Sequence, residues 1–589
     1  MRKLTGVAAA PGVAMGPAHL FGWRIEVHER RVEPSEVPAE LARFDQALAE
    51  SDAQLARIQA QIAQAEGDVH QDYQILEAHR LMLKDAHLVE EAKRLIRDDS
   101  AAAEWAVRVA LDRIRAVFDR IEDPYFRERR SDIDAVGERL LRNLLELLDP
   151  AQREYPPGAI VYGHDLSPGD VTQLGRKGMG GFFSEAGGKT SHSAVVSRAL
   201  GLPLVVGVHD IGVNLRAGVN VVVDGTRGEV ILDPDAATLR HYAERATRER
   251  ARTAYLHTLR AEPPVTACGT HIHLAANVEL LEEVPAAVNN GAEAIGLFRT
   301  EFLYIERPDL PSEQEQYDHA VTAMRLLGER EATFRTLDLG GDKLSPSVRI
   351  PAGANPALGL RSVRFSLWQR AVFKDQLRAL YRAGSKGRVR ILFPLISGVG
   401  ELREVKAICQ EVCHDLQRDG IEHNPQIPLG VMVETPAAAL ISDMLARECD
   451  FLTIGTNDLI QYSLAADRQD EHVAYLYQPL HPAIIRSIRM VVDAARAVGK
   501  PVAMCGDMAG DPYLTCVLLG IGFRDLSMSP QQIPLLKSIV RGTRLSEAEA
   551  LVRSIEKMPT AKEVENVVFT EMKRIFPDLA DPDTGAAVA

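Results

Sequence analysis

The chain has 589 residues, more than one core usually organises, so about two to four domains, or one large barrel with companions, are expected. Its composition, 46% hydrophobic and 25% charged, excludes the disordered and fibrous classes. A formal net charge of -14 argues against a nucleic-acid backbone as partner and leaves small phosphates or a basic protein.

At the N-terminus, Met1-Arg2-Lys3 followed by Leu4 to Met15 imitates a signal peptide, but Pro11 and Gly12 interrupt the apolar stretch and Gly16-Pro17 follows, so a short strand and turn is expected. No apolar run approaches the roughly 20 residues that cross a bilayer, and no membrane association is expected. From about Glu33 to Leu148 glycine is nearly absent and apolar residues recur at helical spacing, as in Leu76, His79 and Leu83 and in Leu140, Leu141, Leu144 and Leu145. This block reads as a helical bundle.

Two strand-rich pieces flank it, residues 1–20 and roughly 155–232. The second contains Ala159-Ile160-Val161-Tyr162, Leu204-Val205-Val206 and the alternating Val219 to Asp224. A helical insertion within an α/β domain accounts for that order more simply than separate domains do. Residues 235–262 then lack glycine, carry Leu239, Tyr242, Ala246, Arg250, Tyr255 and Leu259, and end at Pro263-Pro264, a linker helix with a proline stop.

Beyond Val265 eight β-branched apolar runs alternate with helical stretches: His271–Val278, Ala294–Arg299, Thr333–Leu337, Val389–Leu395, Leu429–Glu434, Phe451–Ile454, Pro501–Met504 and Leu526–Met528. Such βαβ units predict a closed (β/α)8 barrel. The residues leaving the runs are polar: Arg299, Arg335, Glu434, Asn457, Asp458 and Cys505. In a barrel they would converge on the mouth formed by the strand C-terminal ends.

The first chemical motif is Gly187-Gly188-Lys189-Thr190-Ser191-His192-Ser193-Ala194, running into Val195 to Leu200. Two glycines, hydroxyl residues and then a periodic apolar run describe a loop entering a helix N-terminus, which suits an anion. His192 placed there is a nucleophile toward phosphorus, whereas an isolated histidine would more often be a surface cap. A nucleotide phosphate loop fails, because the glycine it requires is replaced by Phe183.

The second constellation lies in the expected barrel. A small substrate with both phosphate and carboxylate, such as phosphoenolpyruvate, needs fixed cations, and Arg299, Arg335, Arg361 and Arg468 stand near strand ends. Glu434 and Asp458 offer hard oxygen ligands for Mg²⁺. An enolate formed there needs a proton at carbon, and Cys505 ends a strand. Singly, such a cysteine would be inert packing and the charges rim salt bridges; their shared placement is the argument. None of the six cysteines forms C-x-x-C, which fits a reducing cytoplasm, and Cys409, Cys413 and His414 lack a fourth metal ligand. His70, His79 and His87 have no metal spacing either.

The segments Gly187 to Val206, Gly296-Leu297-Phe298-Arg299-Thr300-Glu301-Phe302, Gly430 to Ala439 and Ile454 to Asp458 resemble Enzyme I of the bacterial phosphotransferase system, and the likeness extends to about residue 575. The resemblance implies a swivelling phosphohistidine α/β domain (1–20 and 149–232), a helical insertion (21–148) that docks the carrier protein HPr, a linker helix (233–262), a phosphoenolpyruvate-binding and dimerising barrel (263–575) and a flexible tail (576–589). It implies phosphorylation of His192, Mg²⁺ at Glu434 and Asp458, substrate contacts at Arg299, Arg335, Asn457 and Arg468, a proton donor at Cys505, and carrier contacts at His79 and Arg129. Homodimers in the cytoplasm are expected. Related dikinases begin with a nucleotide-binding region of a few hundred residues, and here only about 190 residues precede His192. A metabolite-responsive regulator that binds partners without catalysis is the other alternative. Lys189 replaces an expected arginine, Asp507-Met508 replaces Glu-Leu, and Arg80 and Lys84 make the docking face less acidic than the family's.

Overall fold

Residues 1–20 form three strands, β1 (Arg2–Thr5), β2 (Val7–Ala10) and β3 (Val13–Leu20), where the sequence suggested one strand and a turn. Gly12, at φ +119°, lets the chain reverse between β2 and β3. In the computed structural model of the chain these strands join β4 (Ile160–Gly163), β5 (Gly181–Ser184), β6 (Leu204–Val206), β7 (Asn220–Asp224) and β8 (Glu229–Leu232). Their order in one eight-stranded sheet is β1-β8-β7-β3-β4-β5-β6-β2. The pieces on either side of the helical block therefore share a sheet. The structure describes residues 1–21, 27–63, 80, 82–118, 133, 136–145, 155–188, 191–209, 215, 218–305, 309–339, 355–468, 470 and 472–577.

The expected wet-dry alternation of β7 is not observed, since Val221, Val222, Val223 and Asp224 are all buried. One face joins a core with Leu4 and Phe183, and the other packs on Tyr242 of the helix Ala236–Thr258. A strand covered on both sides reads as a continuous apolar run. Asp224 is tolerated there because Arg245 pairs with it and the N–H groups of Thr226 and Arg227 donate to it, each at 3.1 Å.

The helical block contains Val37–Ala63, Ala86–Asp98 and Ala103–Phe118, packed around Phe44, Leu88, Ile96, Val107 and Leu140. Leu141 and Leu144 are buried as their spacing required, while Leu76 and His79 lie outside the described residues.

The chain divides into two compact units, Met1–Arg250 and Ala251–Ala589, and the helix Ala236–Thr258 carries it from one to the other. The second unit is the barrel. Its strands are β9 (His273–Val278), β10 (Ile295–Arg299), β11 (Ala332–Arg335), β12 (Val389–Phe393), β13 (Leu429–Val433), β14 (Phe451–Ile454), β15 (Val502–Met504) and β16 (Asp525–Met528). They are the eight expected runs with slightly shifted ends, paired in parallel and closed by β16 against β9.

Inside, Leu297, Leu392, Met432, Phe451 and Cys505 form an apolar layer. Gly430 is required beside it, because a Cβ there would stand 2.2 Å from the Phe451 ring. Phe576, assigned by sequence to a flexible tail, instead packs against the outer core. Among the described residues no helix is long and apolar enough to cross a membrane, and all six cysteines are free.

At the seam, Asp525 of β16 lies in register with His273 of β9, their side chains 3.2 Å apart. The Asp525 hydrogen bond raises the His273 pKa against the opposing effect of burial, and Glu293 and Glu331 add to the rise. A raised folded-state pKa means that the stabilisation is complete below the unfolded value of about 6.5 and is lost as pH rises through the folded value. Asp525→Asn should therefore lower the melting temperature most near about pH 6, by the equivalent of roughly 1 kcal/mol or less for a pair this exposed, with the gap closing toward about pH 9. Calorimetric scans across that range check it.

Candidate active site

The C-terminal ends of the barrel strands gather charge. β10 ends on Arg299, which pairs with Glu279 beyond β9. β11 ends on Arg335, whose Nη2 is 3.0 Å from Glu301 and whose Nη1 is 2.7 Å from Asp338. The same Glu301 oxygen accepts the Asp338 N–H at 2.9 Å, so one carboxylate ties the loop after β10 to the loop after β11. Asp338 also holds Arg361 at 3.0 Å, and Arg361 reaches Asp458 at 3.3 Å. Tyr462 steadies that arm, its hydroxyl accepting from Arg361 at 3.3 Å and donating to the Ala357 carbonyl at 2.6 Å.

Glu434 follows β13 and is only 2% exposed. Its Oε1 accepts the Leu395 N–H at 2.5 Å, presented by a left-handed residue at φ +53°. Its Oε2 faces Gly455, where a Cβ would stand 2.8 Å away. Asn457 and Asp458 occupy the first turn of the helix Thr456–Leu464 rather than a strand end. Asn457 Oδ1 accepts the Asp507 N–H at 3.0 Å, and exposed Arg468 bonds Tyr477 and acts on Asp458. Cys505 is the first residue after β15, buried, with Sγ 3.6 Å from the Ile454 carbonyl oxygen.

Burial acts first on every group of this cluster, and the neighbouring carboxylates and guanidinium groups then set the direction each one takes. Burial, then Asp338 and Asp458, drives the Glu434 carboxyl well above the usual range. Burial likewise raises Asp458, with Arg361 opposing and Asp338 adding. Asp338 is lowered despite burial, because Arg335 and Arg361 both face it. Burial alone would weaken the Arg335 proton, yet Asp338, Glu301 and Glu434 hold it more tightly than usual. Burial pushes the Cys505 thiol up to about 12, with Arg335 and Arg299 pulling the other way. Arg335 Nε and the Thr456 hydroxyl have no hydrogen-bond partner among the described residues.

In the other unit, His192 is the first residue of the helix His192–Leu200, capped by Ser191, whose Oγ accepts the Ala194 N–H at 3.3 Å. Gly187, at φ +108°, turns the chain before it, and Gly201, at φ +67°, ends the helix. Arg198 and Ser197 anchor it to the Ala9 and Leu202 carbonyls at 2.5 and 2.7 Å. Lys189, Thr190, His79 and Arg129 lie outside the described residues. Arg80 and Lys84 both pair with Asp52, at 2.6 and 3.1 Å, which offsets the positive charge they bring to their face.

Residues 5–129, 155–228 and 253–545 match the families described as PEP-utilising enzyme, N-terminal; PEP-utilising enzyme, mobile domain; and PEP-utilising enzyme, PEP-binding domain. The chain is 40% identical over 567 residues to the phosphoenolpyruvate-protein phosphotransferase of Bacillus subtilis (strain 168), covering 96% of this chain and 98% of that protein. It is 39% identical over 566 residues to the protein of that name from Priestia megaterium (96% and 98%) and 37% identical over 572 residues to the one from Staphylococcus aureus (97% and 100%). The chain belongs to the phosphoenolpyruvate-protein phosphotransferase family. Within this phosphotransferase, His192 falls in the mobile-domain match and the charged mouth in the PEP-binding match.

Sequence reasoning overlooked Glu279, Glu301 and Asp338, which lock the arginines in place. A carboxylate shortly after a strand-ending arginine, as in Arg299-Thr300-Glu301 and Arg335-Thr336-Leu337-Asp338, was the available signal. Because Asp338 neutralises two guanidinium groups at a site where its side chain is 6% exposed, Asp338→Ala should destabilise the barrel by about 3–5 kcal/mol. Denaturant unfolding of the full chain, compared with Asp415→Ala, where a half-exposed carboxylate pairs with Arg418 on a helix, measures this.

Proposed function

We propose that the chain moves the phosphoryl group of phosphoenolpyruvate to its own His192 and then to the carrier protein HPr, releasing pyruvate as the first step of phosphotransferase-system sugar uptake. The observation that carries this reading is the locked arginine cluster at the barrel mouth, in a chain that also places His192 at a capped helix N-terminus.

Phosphoryl transfer needs positioning and charge neutralisation more than covalent help from the protein. Arg299, Arg335 and Arg468, with Asn457, bind the substrate's phosphate and carboxylate. An imidazole nitrogen of His192 attacks phosphorus, the bond from phosphorus to the enol oxygen breaks, and its electron pair leaves with enolpyruvate. Cys505 then gives its proton to the methylene carbon, a role suited to a thiol held protonated at neutral pH.

Glu434 and Asp458 would hold Mg²⁺. Both carboxyls are raised by burial and by neighbouring negative charge, a condition that a divalent cation reverses. No group of three His, Cys, Asp or Glu among the described residues is placed to hold a metal, so substrate oxygens and water would complete the shell. When bound, the ion supplies neutralisation of the phosphate and enolate oxygens.

The division of labour follows the expected boundaries: phosphohistidine domain at 1–20 and 149–232, carrier docking by 21–148 through His79 and Arg129, linker at 233–262, barrel at 263–575. The phosphohistidine domain swivels between barrel and carrier. Exposed Leu358, Trp368, Leu440 and Met444 on the barrel unit favour a homodimer there, and free thiols fit a cytoplasmic setting.

With phosphoenolpyruvate labelled in the phosphate, His192→Ala should take up no label, and undiminished labelling would remove the mechanism. Cys505→Ala should still be labelled but turn over slowly. Arg335→Lys, which replaces a planar fork by a point charge, should lower kcat/KM by roughly 100-fold, read from steady-state pyruvate release.

A further inference from the structure

Cys505 sits where the barrel closes on itself, and its own short strand is not what fixes it. Its N–H donates to the Ile454 carbonyl of β14 at 3.1 Å. On the other side its carbonyl accepts from Asn277 Nδ2 of β9 at 2.8 Å, and Asn277 Oδ1 accepts from the Ser527 hydroxyl of β16 at 2.6 Å. A carbonyl can only accept, so the amide must turn its NH₂ toward Cys505, and the Ser527 hydroxyl rewards that orientation.

Ser527 is 2% exposed, so its hydroxyl would be costly to bury without this partner. The surroundings are shaped for it. A Cβ at Gly296 would stand 2.5 Å from Ser527 Oγ, and a Cβ at Gly506 would stand 1.8 Å from Thr456 Oγ1. The turn after Cys505 is thus gripped by Asn277 on one flank and by Asn457, through the Asp507 N–H, on the other.

We infer that Asn277, oriented by Ser527, is a positioning residue that fixes the direction from which the Cys505 thiol reaches the methylene carbon of enolpyruvate. This rests on the reading of Cys505 as proton donor. In that step the S–H bond breaks, the carbon–carbon π pair of the enolate forms the new C–H bond, and the thiolate regains a proton from water before the next turnover. A displaced thiol lets the enolate wait for solvent, which delivers the proton to either face.

The test uses the full-length enzyme with Mg²⁺. Asn277→Asp keeps an acceptor for Ser527 but cannot donate to Cys505, Ser527→Ala releases the amide, and Ser527→Thr keeps the hydroxyl. Three readouts are taken: single-turnover labelling of the protein from labelled phosphoenolpyruvate, steady-state kcat and KM, and the handedness of the methyl group formed from stereospecifically deuterated phosphoenolpyruvate in tritiated water. For Asn277→Asp and Ser527→Ala we expect labelling and KM within about twofold of wild type, kcat lowered by about 10- to 100-fold, and loss of one-face protonation. Ser527→Thr should behave as wild type.

Unchanged kcat and handedness in both variants, with Cys505→Ala impaired, would overturn the positioning role and leave Cys505 as donor. One-face protonation retained by Cys505→Ala would overturn the donor reading itself. A parallel fall in labelling, kcat and melting temperature would make Asn277 a general structural residue and also overturn the inference.

Discussion

Asp338 is the constraint on which the barrel mouth depends. It draws Arg335 and Arg361 to one point, remains ionised while buried, and leaves Glu301 to tie the neighbouring loop. Isolated guanidinium groups at this depth would repel one another and swing outward. Bridged by one carboxylate, they become a rigid surface of donors with little left to reorganise when an anion arrives. The buried Arg335 Nε, which lacks a protein partner among the described residues, shows that not every donor is consumed by the scaffold.

The same mouth carries the opposite imbalance a few residues away. Burial, together with the negative charge of Asp338 on both and of Asp458 on Glu434, makes the Glu434 and Asp458 carboxyls resist ionisation. The arrangement is tolerable for stability and useful for chemistry, because it makes the pair a poor permanent anion and a good receptor for a cation that arrives with substrate. Below it, the apolar layer of Leu297, Leu392, Met432 and Phe451 keeps the Cys505 thiol protonated. One face of the barrel thereby combines fixed positive charge, suppressed negative charge and a neutral acid.

In the N-terminal unit a single ion pair has a comparable role. Asp224 ends β7 in a fully buried position, and Arg245 reaches it from the helix Ala236–Thr258. That bond docks the middle of the connecting helix onto the sheet, close to Tyr242. On the same sheet, β5 leads through Gly187 into the capped helix that begins with His192. A strand, a glycine turn and a helix start are what put the histidine where backbone donors collect.

The sequence by itself determined the large features. Eight apolar runs at βα spacing dictated a parallel barrel, and glycines and hydroxyl residues before an apolar period dictated a helix start around His192, because both depend on local periodicity and capping. Residues that leave strands, such as Arg299, Arg335 and Glu434, were legible for the same reason. Only the tertiary structure decided that Asp338 bridges two arginines, that β7 is covered on both faces, that Phe576 packs rather than trails, and that Asn277 meets Cys505 across 228 positions. Those facts join residues far apart in the chain or depend on which atoms lose water, and neither is encoded in the spacing of neighbours.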